Sequence, residues 1–157
     1  MSDQYVMVDE FDTLFQKVKT ALSLPVLNYQ YGYVAELNEN MKDMVDSPAD
    51  RDKRFPLVWV AQPFSIMHGD SSGYAVLSDC EIFIIMESAE NLRATERMTD
   101  KFKPVINPIY DEMLEQMINA PWCCEMDKAN LKHKATDRYY WGESQAKAII
   151  AVCCFVL

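Results

Sequence analysis

The sequence is short of the features that mark several large protein classes. It has four glycines and no glycine-rich phosphate loop, so no nucleotide site of that kind is predicted. No apolar run approaches the roughly 20 residues of a membrane-spanning helix, and the first residues lack the basic and apolar regions of a signal peptide. With 15 basic against 24 acidic residues the formal charge is -9, which disfavours a broad nucleic-acid groove. We therefore expect a protein made and used in a cytoplasm.

Cysteine is present, but its spacing is not that of a zinc site. The five cysteines are Cys80, Cys123, Cys124, Cys153 and Cys154. Zinc sites are normally seeded by two ligands about two to four residues apart, whereas two of the pairs here are vicinal. A site joining Cys123 and Cys124 to His133, or to the second pair, is the metal alternative. An odd number of cysteines in a reducing compartment favours buried thiols, so no metal or cofactor is predicted.

Two stretches are typical of amphipathic helices, and the first covers residues 10–22. Its apolar side chains recur at helical spacing. They are Phe11, Leu14, Phe15, Val18 and Leu22. Asp9 is the predicted N-cap and Pro25 closes the element. Residues 5–7 are expected to form a short lead-in that packs on a neighbour or a partner.

The second amphipathic stretch, residues 95–120, is the one around which we expect the chain to be organised. Its apolar stripe consists of Met98, Phe102, Val105, Ile106, Ile109, Met113, Met117 and Ile118. Pro104 and Pro108 interrupt this stripe, and each costs an α-helix about 3 kcal/mol or more. We therefore predict a bend near residues 103–107, or a break that leaves a short first helix at residues 95–102.

Four stretches favour β-strands. Residues 28–37 are rich in aromatics, and residues 55–64 alternate between two proline-marked ends. Residues 74–87 become apolar on both faces in their second half. Residues 148–157 are apolar throughout, which predicts a last strand in the interior of the sheet. At most one short further strand is expected, near residues 139–141.

The whole chain, residues 1–157, is predicted to be a single α+β domain. We expect a mostly antiparallel sheet of four to five strands, packed by two main helices, in the order α-β-β-β-α-β. Residues 38–54 are dense in charge, contain Pro48 and lack an apolar pattern, so they are predicted to be a solvated loop or a protruding hairpin tip.

Nothing in the sequence forms an enzyme signature. His68, Asp70 and Ser71 are the residue types of a hydrolytic triad, but they crowd into one short turn, whereas a triad is assembled from distant segments. An ordinary turn is therefore the preferred interpretation, and no catalytic residue is predicted. An enzyme remains the last of three alternatives.

Two further patterns have a nucleic-acid alternative. Residues 128–138 are the most basic part of the chain, which is more typical of a solvated face or a subunit contact than of a phosphate site. Tyr29, Tyr31 and Tyr33 alternate on one strand face and are interpreted as a packed sheet face rather than a base-stacking platform.

One resemblance to a known family is carried by two segments. Residues 92–110 read LRATERMTDKFKPVINPIY, and residues 139–143 read YYWGE ahead of the terminal apolar strand. Both resemble proteins encoded by tailed phages and prophages of gut bacteria. The order of elements is similar to that of tail terminator and tail completion proteins, which are small α+β subunits of the ring that closes the tail tube beneath the head.

The resemblance implies a virion protein without catalytic activity, made in the host cytoplasm and placed in the tail or neck. Its partners would be copies of itself in a ring, the tail tube, and the neck or connector proteins. DNA would be passing cargo, and there would be no membrane partner. Residues 38–54 would act as an arm. The implied interface residues are Asp43, Asp46, Asp50, Arg51, Lys53, Arg54, Tyr139, Tyr140 and Trp141. The alternative is a generic intracellular protein-protein interaction module of the same fold.

Overall fold

The computed structural model describes residues 3–45, 54–68, 75–89, 92–123, 132–136 and 148–156. The helices are α1 (Asp3–Ala21), α2 (Val34–Val45), α3 (Ala94–Arg97), a π-helix (Met98–Ile106) and α4 (Asn107–Ile118). The strands are β1 (Asn28–Tyr33), β2 (Leu57–Gln62), β3 (Ser65–His68), β4 (Ala75–Ser78), β5 (Glu81–Ala89), β6 (Lys132–Thr136) and β7 (Ala148–Val156). These elements confirm the predicted α+β class. The predicted order α-β-β-β-α-β is wrong, because α2 separates β1 from β2 and four described strands lie between α2 and α3. None of the described helices combines the length and the apolar character needed to cross a membrane.

Five strands form the main sheet, in the order β1-β2-β5-β7-β6. β1 runs parallel to β2, and the other three pairings are antiparallel. The mostly antiparallel sheet is therefore as predicted, and β7 lies inside it between β5 and β6. β3 and β4 form a separate two-stranded hairpin.

One face of the sheet, called here the broad face, is covered by α1, the π-helix and α4. The strands contribute Val58 and Val60 from β2 and Ile82 and Ile84 from β5. The helices contribute Val8, Phe11, Leu14, Phe15, Val18, Phe102, Ile106, Ile109, Met113 and Met117. This cluster is the main core, and it buries the apolar stripes that the periodicity of both helices predicts.

The opposite face, called here the narrow face, carries a smaller core under α2. Leu37 of α2 is fully buried against Leu57, Trp59, Ala61 and Ile85 of the sheet. Trp59 also donates a hydrogen bond from its indole nitrogen to the Gly32 carbonyl at 3.1 Å, so the polar end of the buried ring is satisfied. This second core was not predicted.

The stretch predicted as one interrupted helix is helical throughout. Instead of breaking, the chain adopts a π-helix that contains Pro104, and α4 then begins with Pro108 in its first turn. In an α-helix the Pro104 ring would crowd the carbonyl four residues back, whereas the wider π turn spaces its bonds five residues apart. The Asn107 amide accordingly donates to the Phe102 carbonyl. Met98 and Ile118, predicted to belong to the apolar stripe, are exposed.

Two predicted boundaries near the start of the chain are wrong. α1 begins at Asp3 rather than at residue 10, and Asp9 lies inside the helix rather than capping it. Val8 is buried and extends the stripe of Phe11 back by one turn, which gives the earlier start a packing reason.

The first predicted strand ends early, and the start of the predicted loop is a helix. β1 stops at Tyr33, and α2 occupies Val34–Val45. The Glu36 carboxylate accepts a hydrogen bond from the Tyr33 amide at 2.6 Å and so satisfies a donor at the strand-to-helix junction. The sequence of α2 repeats apolar residues at helical spacing, which the prediction of a loop overlooked, and burial of Leu37 on Trp59 fixes the helix on the sheet.

The predicted strand at residues 74–87 is two strands. β4 ends at Ser78, Asp79 adopts a left-handed backbone with φ of 57°, and β5 begins at Glu81. The turn sends β4 to pair with β3 and β5 to pair with β2. The extra strand was also misplaced, since β6 occupies Lys132–Thr136 and residues 139–141 lie outside the described residues.

Candidate functional site

The structure describes two of the predicted interface residues. Asp43 belongs to α2 rather than to a loop. Arg54 is half-buried, and its carbonyl accepts a 2.7 Å hydrogen bond from the Asn28 side chain, which anchors the start of β1. Outside the described residues lie Asp46, Asp50, Arg51, Lys53, Tyr139, Tyr140 and Trp141. The predicted arm is therefore described only at its two ends.

The candidate chemical groups are likewise described only in part. His68 ends β3, while Asp70, Ser71 and Cys124 lie outside the described residues. Among the residues that the structure describes, no group of three or more histidine, cysteine or acidic side chains is arranged to hold a metal ion. Cys80 is fully buried in the main core, as predicted for a structural thiol, and burial raises its pKa to about 12. A thiol in that state is a poor nucleophile at neutral pH.

Arg97 is a buried charge that the sequence analysis did not single out. It is 2% exposed and stands at the junction of α3 and the π-helix. Its guanidinium donates a hydrogen bond to the Leu92 carbonyl, so it ties the preceding segment to the helix. In the sequence Arg97 stands next to Met98, which is exposed, so the amphipathic pattern does not predict a buried arginine. The burial of Arg97 results from packing at the start of the helix.

The described feature best suited to binding is the outer edge of β1. β1 ends the sheet order, so it pairs with β2 on one side and with no described strand on the other. The Asn28 amide donates to the Pro56 carbonyl at 3.0 Å, which directs the backbone of Asn28 toward β2. Because successive residues of a strand turn their amides and carbonyls to opposite sides, those of Tyr29 and Tyr31 are directed to the outer edge. A strand edge of this kind is a template for a further strand.

The end of this edge is closed by contacts within the chain. At the outer edge Glu36 accepts the Tyr33 amide proton, and on the β2 side the Gly32 carbonyl accepts the indole proton of Trp59. Gly32 has φ of 149°, and a Cβ at this position would meet the Glu36 carboxylate and approach the Trp59 ring to 3.0 Å. A glycine is therefore required where β1 turns into α2.

A groove of about 440 Å³ lies along the same edge. α1, α2 and the sheet all contribute to its walls. The lining residues are Val8, Asp9, Asp12, Tyr29, Gln30, Tyr31, Asn40 and Trp59. Among the residues that the structure describes, two carboxylates and no lysine or arginine line the groove, so their charge favours a basic or amide-rich ligand.

The tyrosines of β1 divide between core and surface. Tyr29 stacks on Phe15 at 5.7 Å between ring centroids, and its hydroxyl donates to the Val8 carbonyl at 2.9 Å. Burial, with a smaller contribution from Asp12, raises the Tyr29 pKa well above its ordinary value, so the phenol stays protonated. Tyr31 is 44% exposed and Tyr33 is 56% exposed. The predicted packed face is therefore correct for Tyr29 and wrong for the other two.

Gln30 borders the groove on the narrow face. Its Oε1 atom is buried and has no hydrogen-bond partner among the described residues. Among the described residues it is the one buried side-chain oxygen without a hydrogen-bond partner.

Sequence reasoning missed this groove because three elements separated along the chain build it. The one signal that pointed to it was the alternating tyrosine pattern of β1. Comparison with known proteins adds no family to this description, since no family model, curated protein or solved structure matches the chain.

Proposed function

We propose that this chain is a non-enzymatic structural subunit that acts by self-association. The observation that carries the proposal is the outer edge of β1, where two tyrosines are exposed beside an open acidic groove. Tyrosine suits a contact surface because it offers a large apolar ring and a hydroxyl at little entropic cost. A strand edge adds directional backbone hydrogen bonds that another chain can complete.

The composition of the groove supports association more than catalysis. The Tyr29 hydroxyl is committed to the Val8 carbonyl and is held protonated, so it is unsuited to exchange protons near neutral pH. The remaining lining combines two carboxylates, two amide side chains and apolar surface. Such a surface can position a backbone and attract cations, which is what a docking edge requires.

On the resemblance of residues 92–110, the specific role we propose is that of a tail terminator, tail completion or neck subunit at the head–tail junction of a tailed phage or prophage. The partners would be copies of the chain, the tail tube and the neck proteins, in the virion. The net charge of -9 supports a lumen through which DNA passes without adhering.

A second candidate is an interaction module that receives an extended segment of a different protein at the β1 edge. The same groove favours it, because strand addition needs no symmetry between the partners. It differs from the first proposal in that the isolated chain would not associate with itself.

Sedimentation and mass measurement over a wide range of protein concentration test self-association. We expect the 18.1 kDa chain to form a closed oligomer, visible as rings by electron microscopy. Tyr31→Pro removes an amide directed to the outer edge and should shift the mass to the monomer, whereas Tyr31→Ala keeps that amide and should shift it less. A wild-type chain that stays monomeric at millimolar concentration would refute the proposal.

The virion role has its own test. Purified particles from an induced host should contain the chain in a ring-like copy number, and portal and tail-tube reading frames should lie beside its gene. Particles that lack the chain would contradict the virion role and leave self-association standing.

A further inference from the structure

The two ends of the main sheet differ in charge. At the β1 end, Asp9 and Asp12 of α1 line the groove, and Glu36 and Glu39 of α2 are exposed on the other side of the strand. At the opposite end, β6 has the sequence Lys-His-Lys-Ala-Thr, and the structure describes no strand beyond it. One sheet thus has an acidic edge and a basic edge.

We propose that β6 of one copy adds to β1 of the next, so that the subunits join head to tail into a continuous sheet. The inference rests on the proposed self-association and names the surfaces that make it. The occupant of the β1 groove is then the basic edge of a second copy of this chain.

The strand directions make the joint antiparallel. β1 and β2 run the same way, and each step from β2 to β5, β7 and β6 reverses direction, so β6 runs opposite to β1. Copies that keep a common strand direction, as in a ring, therefore bring β1 and β6 together as antiparallel neighbours. Antiparallel pairs are the commoner kind and need no crossover connection.

The lengths and faces of the two strands also match. β1 has six residues and β6 has five. One row of paired positions crosses the whole sheet, through Gln30, Trp59, Phe83, Cys154 and Lys134. Continuing this row into the next copy places the Lys134 position beside Gln30, on the face that also carries α2.

Charge disfavours the two-fold alternatives. A symmetric contact of β1 with β1 would set Asp9 and Asp12 against their own copies, and a contact of β6 with β6 would set lysine against lysine. Like charges directly opposite each other destabilise strand pairs. When β1 of one copy pairs with β6 of the next, the pair still offers a β1 edge at one end and a β6 edge at the other. Such a heterologous contact closes into a ring when the rotation between neighbouring subunits allows it.

Charge reversal at one edge tests the contact. Asp9→Lys with Glu39→Lys cancels the negative charge of the β1 edge, because only Asp12 and Glu36 remain acidic there. Lys132→Glu with Lys134→Glu makes both edges acidic. Each variant should weaken self-association by about tenfold or more, on the scale of 1–3 kcal/mol for close charge pairs. Combining all four substitutions in one chain should recover part of the association that Lys132→Glu with Lys134→Glu loses, because the acidic β6 edge then meets a β1 edge without net negative charge.

Matched controls change the net charge equally without touching either edge. They are Asp100→Lys with Glu115→Lys, and Lys101→Glu with Lys103→Glu, and both should associate as wild type does. Thermal unfolding verifies that every variant folds. Raising the salt concentration should weaken the wild-type oligomer and shrink the difference between variants.

Three results would contradict the inference. Two of them contradict only the proposed contact between β6 and β1, and the third also contradicts the self-association on which that contact depends. If the Lys132→Glu, Lys134→Glu variant associates as wild type does, β6 is not the partner edge and its lysines protect the edge from pairing. If the fourfold variant does not recover while it folds normally, the complementarity is wrong. A wild-type chain that never associates defeats the proposed function together with this inference.

Discussion

The two faces of the sheet are built in different ways. The broad face buries stripes from two long helices and is a thick apolar core. The narrow face has a small cluster in which one leucine of α2 meets Trp59 and its neighbours. The broad face therefore supplies most of the stability. The narrow face holds α2, which forms one wall of the candidate interaction groove.

The largest expected effect is the loss of an aromatic from the broad face. Phe11 is fully buried and meets Trp122 edge-on at 5.8 Å between ring centroids. Phe11→Ala should lower the free energy of unfolding by about 3–5 kcal/mol, because it removes transfer energy and leaves a cavity. Urea unfolding measures the change. Met98→Ala, at an exposed helix position, is the control and should stay within about 0.5 kcal/mol. A comparable loss in both variants would contradict the assignment of the core.

A substitution in the core of the narrow face should destabilise α2 and leave the rest of the fold protected. Leu37→Ala removes the one described α2 side chain that is fully buried, at a cost of about 2–4 kcal/mol. We expect hydrogen exchange to lose protection in α2 and keep it in α1 and α4. Val34→Ala in the same helix, at an exposed position, is the matched control. Loss of protection across the whole sheet would mean that the two faces unfold as one unit.

The strand-to-helix junction should show a moderate effect. Gly32→Ala forces a side chain into a positive φ and against the Glu36 carboxylate, so we expect a loss of about 1–3 kcal/mol in the free energy of unfolding. Glu36→Ala removes the carboxylate clash but leaves the backbone strain and the 3.0 Å approach to Trp59, and it also takes the acceptor from the Tyr33 amide. Gly32→Ala should therefore cost less in a Glu36→Ala chain than in the wild type, without becoming neutral. Thermal unfolding of the single and double variants measures both. Full stability in Gly32→Ala would show that the junction adopts another backbone.

The smallest effect is a pH dependence of the broad face. Burial raises the Cys80 pKa from 9.0 to about 12 in the folded chain. The folded state therefore binds the proton more tightly than the unfolded state. The contribution to stability is complete below pH 9 and is lost as the pH rises from 9 toward 12.

Between pH 8 and 10 the wild-type chain should thus lose about 1 kcal/mol more than Cys80→Ala does. Urea unfolding at the two pH values gives the difference. Burial is the largest cause of the raised Tyr29 pKa in both proteins, so most of the Tyr29 contribution cancels. Equal losses in the two proteins would show that the thiol ionises without unfolding the chain.

Prediction from the sequence was most accurate for elements whose own residues form an apolar pattern. The stripe through Phe102, Ile109 and Met113 is buried as expected, because a 3.6-residue repeat specifies both the helix and the face that it buries. β7 was predicted for a similar reason, since an apolar run on both faces indicates a central strand.

Elements that depend on distant partners were missed. β6 is a polar segment with no strand pattern, and it becomes a strand by pairing with β7. The candidate groove depends on distant partners as well, because its walls come from α1, β1 and α2. α2 was missed for another reason: its apolar residues recur at helical spacing, but the density of charge in residues 38–54 favoured a loop.

By itself the sequence determined the α+β class, the two amphipathic stripes, the apolar final strand and the acidic net charge, because each is a local or summed property of the residues. Tertiary structure decided that the Pro104 stretch continues as a π-helix, that α2 packs on Trp59, and that β1 and β6 stand at opposite ends of one sheet. The physical reason is that edge positions, second cores and complementary surfaces arise from pairings between residues far apart in the chain, whose free energy no local pattern contains.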